Sequence, residues 1–382
     1  MRIVLSGIET NNKGAELMLY AILQEIERKF PKAEVFVPIF AVTQGLKYLH
    51  TNVCVKEKPY AGLKRFLAKL HTNGILRRLH INCFWLLDVW PVPKVDYFID
   101  ASGFCFSDQW NPNEYIVQLL EFHLRKYREQ GSKIIFLPQA FGPAESTYTQ
   151  QEFAVLNKYA DVIMPRESIS LRYLLDAGVN SEKLKKTTDF TSVVEGVFPS
   201  RFEHLKNGIC IIPNLRMIDK GAITLPIYLD LLLGIIKFAS EKGHPVYLLN
   251  HEGKKDERLA YTLQKKLNNS IEVVTGLNAL EVKGLIASSY LCISSRFHGL
   301  ASSLNSSVPC LATSWSHKYE ELYKDYGLSD CVLDITDANK CLTKVSEYLS
   351  HDKNESIRNI LNQAVPKIKS ETANMWNYVW SI

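Results

Sequence analysis

The sequence has no long apolar run, no C-x-x-C pair, no G-x-G-x-x-G fingerprint, no internal repeat and no low-complexity tract. No segment approaches the roughly 20 apolar residues that a membrane-spanning helix needs. The apolar opening from Met1 breaks at Gly7, before the polar Thr10-Asn11-Asn12-Lys13-Gly14. That run is too short for a signal-peptide core, and it is read as a first strand. The eight cysteines, most of them inside apolar runs, are expected to be reduced thiols of a cytoplasmic protein, with no metal site. Without the glycine fingerprint a dinucleotide cofactor is not supported, and no cofactor is expected. A formal net charge of +5 is small beside 45 basic and 40 acidic side chains, so nucleic acid is not the expected partner.

What is present is an alternation. At 382 residues and 46% apolar the chain is too long for one ordinary core. Strand signals at Ile3–Leu5, Val35–Ile39, Tyr97–Asp100 and Lys133–Leu137 alternate with helical periodicity, which predicts a parallel sheet covered on both faces. The clearest helix carries Leu19, Leu23, Ile26 and Phe30 at helical spacing until Pro31, with Glu25, Glu27, Arg28 and Lys29 facing water. The alternation restarts with strands at Ile209–Ile212, Val246–Leu249, Ile271–Val274, Tyr290–Ile293 and Cys310–Ala312. Two doubly wound α/β domains are therefore predicted, residues 1–198 and 199–353, joined through the polar stretch Phe198–Asn207. Residues 354–382 read as a long amphipathic helix crossing back to the first domain. A cleft between two such domains is the natural place for a substrate.

The chemistry concentrates at strand ends. After Tyr290–Ile293 come Ser294-Ser295-Arg296-Phe297-His298-Gly299, a strand-to-helix corner carrying one permanent cation and one titratable imidazole. Ligands of open α/β sheets settle at such corners, where helix N-termini offer free N–H groups. An anionic substrate that must be protonated fits this pair. Alternatively, Arg296 bonds a carboxylate across its domain and His298 caps the following helix. Arg166 is placed like Arg296, at the end of the short strand Asp161–Pro165; its structural alternative is a pairing with Glu167 or Asp161. Gln139 ends another strand before a constrained Phe141-Gly142-Pro143 turn. Asp189 follows a further short strand and is equally readable as an N-cap. Asn12 and Glu16 open the first helix, where backbone donors suit an anion or sugar hydroxyls, and His251 follows the strand Val246–Leu249.

Taken together these residues resemble the polysaccharide pyruvyl transferase family. Its N-x-G-[AD]-E pattern is met by Asn12, Gly14, Ala15 and Glu16, and its P-Q-x-x-G-P by Pro138, Gln139, Gly142 and Pro143. Its R-[DE]-x-x-S is met by Arg166, Glu167 and Ser170, its T-D by Thr188 and Asp189, and its S-R-x-H-[GA] by Ser295, Arg296, Phe297, His298 and Gly299. Each is weak alone; five in order are specific. The chain departs from the pattern at Asp100-Ala101-Ser102-Gly103, where a glycine-rich corner is usual, and at Phe190, where proline is usual.

The resemblance implies two Rossmann-like domains resembling the B-type glycosyltransferase fold, phosphoenolpyruvate as donor, and transfer of pyruvyl as a ketal onto a sugar. It places the acceptor on the first domain, with Arg166 facing the cleft, and the donor on the second. Arg166, Arg296, Phe297 and Ser295 would bind the donor, His298 would be the acid/base, and Asn12, Glu16, Asp189, Gln139 and His251 would line the acceptor. The acceptor in such pathways is often lipid-linked. The stretch 56–90 interleaves Lys56, Lys58, Lys64, Arg65, Lys69, Arg77 and Arg78 with apolar residues and ends in Phe84, Trp85 and Trp90, the composition of a membrane-surface helix on the inner face. The same composition suits an ordinary amphipathic domain helix. The rival readings are a nucleotide-sugar glycosyltransferase of similar architecture and a non-catalytic glycan-assembly binding protein.

Overall fold

A computed structural model describes residues 1–37, 54–57, 94–219, 221–313 and 318–382. The basic stretch 56–90 lies outside these residues beyond Glu57, so the membrane-surface expectation falls there too. Among the described residues no helix is long and apolar enough to cross a membrane.

The chain divides into two compact units: Met1–Glu9 with Ile22–Lys186 and Ser381–Ile382, and Thr10–Ala21 with Thr187–Trp380. The first sheet is built from β1 (Arg2–Ser6), β2 (Glu34–Val37), β3 (Cys54–Glu57), β4 (Tyr97–Asp100), β5 (Lys133–Gln139) and β6 (Val162–Pro165), paired in the order β3-β2-β1-β4-β5-β6. Every pairing in it is parallel. The central strands are buried on both faces, which is why they read as unbroken apolar runs. The edge strand β3, whose apolar Cys54-Val55 gives way at once to Lys56-Glu57, is not among the strands predicted above.

Helix α1 (Lys13–Lys29) buries Leu19, Leu23 and Ile26 as its periodicity predicts. Glu25 does not face water as expected. It is buried, and its carboxylate accepts from Arg28 Nε at 2.8 Å and Nη2 at 2.7 Å. Helices α2 (Glu114–Glu129), α3 (Thr147–Tyr159) and α4 (Ser168–Asp176) complete the first unit, whose core gathers Val4, Phe98, Phe136, Phe153 and Ile163.

The second sheet repeats the plan with β7 (Ile209–Ile212), β8 (Val246–Leu249), β9 (Glu272–Val274), β10 (Leu291–Ser294), β11 (Cys310–Thr313) and β12 (Val332–Leu333), in the order β12-β11-β10-β7-β8-β9. Both sheets thus follow the doubly wound order 3-2-1-4-5-6, whose strand order reverses between the first and fourth strands. Its helices are α5 (Leu225–Glu241), α6 (Gly253–Lys266), α7 (Ala279–Ala287), α8 (Phe297–Asn305), α9 (Lys318–Asp325), α10 (Ala338–Leu349) and α11 (His351–Val379).

The main segment of the second unit starts at Thr187, where the sequence put the limit at Phe198, and Thr187–Phe198 is held by polar bonds to α7: Val197 N donates to Leu280 O at 2.9 Å, and Lys283 Nζ to Thr191 O at 3.0 Å. Helix α11 groups with the second unit through Trp380, and Ser381–Ile382 with the first. Its Trp376 is buried against Phe190, with ring centres 5.9 Å apart. At its other end Arg358 ties it to the sheet. Nε donates to Asn354 Oδ1 at 2.8 Å, Nη1 to Ser307 O at 3.2 Å, and Nη2 to Ser289 O and Tyr290 O at 3.1 Å. Arg358→Ala leaves those carbonyls short of a charged donor, a loss of about 3 kcal/mol. We expect a lower urea midpoint by tryptophan fluorescence; an unchanged midpoint would show that α11 is held by its apolar face alone.

Candidate active site

The polar cluster of the second unit lies where strand order reverses, at the carboxyl ends of β7, β10 and the neighbouring β8. The β10 corner is built by short bonds. Ser294 Oγ accepts from Arg296 N at 2.9 Å, so Arg296 becomes the N-cap residue of α8. Helix α8 can approach β10 this closely because residue 299 is glycine: a Cβ there would lie 2.5 Å from Ser294 Oγ.

Ser295, expected to touch the donor, serves the corner instead. Its hydroxyl pairs with Tyr228 OH at 2.6 Å and with Thr313 Oγ1, and its carbonyl accepts from Asn214 Nδ2 and Tyr319 OH, both at 2.8 Å. The residue is buried, so its role is to hold the corner's shape.

Arg296 meets the alternative set beside its functional reading. Nε donates to Asp256 Oδ2 at 3.0 Å, Nη2 donates to the same oxygen, and Nη1 donates to Glu252 Oε2. Asp256 is itself fixed by Leu215 N, which donates to Oδ1 at 3.0 Å. Burial pushes Arg296 down to about 10 and Asp256 up to about 7; at Asp256 the bond from Leu215 N and the charge of Arg216 partly offset the rise. Neither carboxylate was singled out as a donor-site residue. The signal was available: Glu252 and Asp256 are four apart at the start of α6, hence on one face, right after a strand.

His298, in the first turn of α8, does not cap the helix. Its Nε2 lies 3.4 Å from Asp189 Oδ2 without hydrogen-bond alignment, and the Phe297 ring stands edge-on to it at 5.2 Å. Gly14 walls the other side, since a Cβ on it would lie 2.3 Å from His298 Nδ1. Asp189 is the N-cap that its structural alternative describes: Oδ1 caps the 3-10 turn Phe190–Val193, accepting from Thr191 N at 2.9 Å and from Thr191 Oγ1, while Oδ2 is the oxygen near the imidazole.

The opening of α1 joins this cluster. Asn12 Nδ2 donates to Glu252 Oε2 at 3.3 Å, Asn12 Oδ1 accepts from Gly14 N at 2.9 Å, and Lys13 N donates to His251 O at 3.1 Å. Glu16 is sequestered rather than presented: Lys13 Nζ donates to it at 2.6 Å and Tyr20 OH at 3.2 Å. His251 is buried, and burial, with the positive charges of Arg296, His298 and Lys13, holds it well below the ordinary imidazole range. It is therefore neutral, and among the described residues its Nδ1 has no hydrogen-bond partner.

Gln139 and Arg166 belong to the first unit and meet through the β5–β6 pairing, where Arg166 N donates to Gln139 O at 2.9 Å. Two of the motifs thereby lock together, because Phe141 N also donates to Ser170 Oγ at 2.7 Å. Gln139 Nε2 donates to Asp100 Oδ1 at 3.1 Å, and Ser102 Oγ to Asp100 Oδ2 at 3.0 Å, so the aspartate that replaces the usual glycine organises its own corner. Among the described residues, no three His, Cys, Asp or Glu side chains gather as a metal site.

Two Rossmann-like sheets of this order define the B-type glycosyltransferase architecture, and comparison with solved structures agrees. HepE of Anabaena, solved with UDP and glucose, superposes with a TM-score of 0.60 at 12% identity, covering 99% of this chain and 100% of that one. MnaA of S. aureus, solved with UDP, gives 0.62 at 14% identity, covering 99% and 96%. The sequence model of the polysaccharide pyruvyl transferases matches residues 12–317, and the chain belongs to that family of enzymes. The amylovoran biosynthesis protein AmsJ of Erwinia amylovora is 22% identical over 373 residues, 88% of each chain.

Gly14→Ala tests the wall behind the imidazole. The added methyl must displace His298, an overpacking cost of about 1–3 kcal/mol. We expect a folded protein by circular dichroism whose turnover falls at least roughly 10-fold, as misplacement of a reacting group implies; unimpaired turnover would show that the position of His298 is not critical.

Lys283 gives a pH test. Burial pushes its ammonium down to about 7, partly opposed by Asp189. The unfolded chain holds that proton up to about pH 10.4, so folding releases it and stability rises with pH between the two values. Against Lys283→Met, the wild type should gain up to about 1.4 kcal/mol per pH unit across that window. Urea midpoints of both proteins at about pH 6 and about pH 9 check this; a constant difference would mean the lysine is not buried as described.

Proposed function

We propose that this transferase moves the pyruvyl group of phosphoenolpyruvate onto two hydroxyls of a sugar in a glycan or lipid-linked glycan precursor, forming a ketal and releasing phosphate. The observation that carries this reading is the His298–Asp189 pair at a strand-order reversal, beside a permanent cation. The donor carries about three negative charges near neutral pH, which suits Arg296 in the second unit. The R-[DE]-x-x-S pattern alone nominates Arg166 as the other donor cation.

In this scheme one sugar hydroxyl oxygen bonds to C2 of phosphoenolpyruvate while imidazolium His298 gives its proton to the methylene carbon, making it a methyl group. The hydroxyl's proton returns to the imidazole. The C2–O bond to phosphate then breaks with its electron pair leaving on phosphate, and the second hydroxyl bonds to C2 and passes its proton to the released phosphate, closing the ring. Asp189, 3.4 Å from Nε2, acts through His298, and neutral His251 and Asn12 are the second unit's candidates for hydroxyl contacts. Acceptor chemistry of this kind places the protein on the cytoplasmic side of the membrane, where glycan precursors are assembled.

The test is direct. Phosphoenolpyruvate, and not a nucleotide sugar, should raise the thermal midpoint, since a ligand of the folded state must do so by mass action. His298→Ala should keep that shift and lose roughly 10²–10⁴-fold in phosphate release with acceptor present. Asp189→Asn should lower kcat with little change in the donor's KM. A fully active His298→Ala enzyme, or stabilisation by a nucleotide sugar alone, would sink the assignment.

A further inference from the structure

Arg296 is the donor's cation in the reading above, yet its guanidinium is already satisfied by two carboxylates of very different character. Asp256 cannot leave: its side chain is 2% exposed, it takes both Nε and Nη2, and it is anchored by Leu215 N. Glu252 is the outer partner. Its side chain is 23% exposed, it takes Nη1 alone, and its other bond, from Asn12 Nδ2, is long at 3.3 Å.

Glu252 also stands where it has another use. It is the N-cap residue of α6, in extended conformation at φ −148° and ψ 112°, and it makes no side-chain cap bond. The first turn of a helix presents unsatisfied N–H groups and a partial positive charge, and a carboxylate at this position is drawn to both. Glu252 has two seats, then, and in this structure it occupies the one on Arg296.

We propose that Glu252 is a built-in competitor for the donor's anionic group: it covers Arg296 Nη1, the contact seen here, and moves toward the α6 N-terminus when a carboxylate or phosphate oxygen takes its place. The proposal rests on Arg296 being the donor's cation. The exchange keeps the buried guanidinium neutralised at every stage, which a site left open to water would not do. It also sets donor affinity, because the incoming anion must displace a carboxylate already bonded to the same nitrogen.

Calorimetric titration of the full chain with inorganic phosphate, and separately with phosphoenolpyruvate, tests this. Glu252→Gln, which removes the competing charge, should bind each probe roughly 10-fold more tightly than wild type. Glu252→Asp is the second variant: it keeps a carboxylate suited to capping α6 but is one methylene too short to hold Arg296, and it too should bind more tightly. Adding Arg296→Gln to either variant should abolish the gain, a coupling that a merely structural glutamate would not show. Phosphate affinity equal to or weaker than wild type in both Glu252 variants overturns the proposal. If phosphate binds more tightly in the variants while phosphoenolpyruvate binds no better than phosphate, the competitor stands and the donor assignment falls.

Discussion

A guanidinium sunk at the carboxyl edge of a sheet must find its countercharge there, and the second unit is arranged around that requirement. The Arg296 side chain is only 12% exposed, and a lone cation so sheltered would cost several kcal/mol. Asp256 supplies the fixed charge and, through Leu215 N, ties the guanidinium to the loop after β7. Asn214, Tyr228 and Tyr319 hold the carbonyl and hydroxyl of Ser295, so the residue carrying the cation cannot drift. The corner is rigid because its backbone is bonded from three elements, and this lets one turn of α8 present His298 reproducibly.

Asp189 shows how one carboxylate can be both structural and chemical. Its cap on the 3-10 turn fixes Oδ1, which dictates where Oδ2 points. That turn is supported from behind by α11, with Phe190 against Trp376 and Ser192 Oγ 2.8 Å from Thr372 Oγ1, and by Lys283 from α7. The orientation of the imidazole's partner is thus set by residues that never approach the reacting atoms.

The central strands and α1 were legible because burial on both faces, or on one helical face, leaves an apolar signature in consecutive residues. β12 was not, being an edge strand of two residues. The limit at Thr187 was missed because Thr187–Phe198 is held by isolated contacts to residues far along the chain, Phe190 against Trp376 and Thr191 O accepting from Lys283, which leave no periodic trace. At the site, residue types and order nominated Arg296, His298 and Asp189, since strand ends and helix starts are local signals, and all three fall in the second unit. Partnership was not legible: Arg296 meets carboxylates 40 and 44 positions away, and nothing in the spacing tells a hydroxyl such as that of Ser295 whether it faces ligand or neighbour. Glu16 carries the same lesson. Its place in a family pattern marks it as important without revealing that Lys13 and Tyr20 already occupy it.

The Asn12–Glu252 bond joins residues 240 positions apart. At synthesis rates of about 5–20 residues per second, the opening of α1 leaves the ribosome roughly 10–50 s before the loop it will pair with. Until β7 and β8 are made late in that interval, Thr10–Ala21, with the apolar Leu17, Met18 and Leu19 buried in the finished protein, has no strands of its own unit to cover it. Non-local closure of this kind is slow, and exposed apolar segments awaiting it are what chaperones engage. The loop that brings Gly14 against His298 thus also gives the nascent chain a long period of dependence on protection from aggregation.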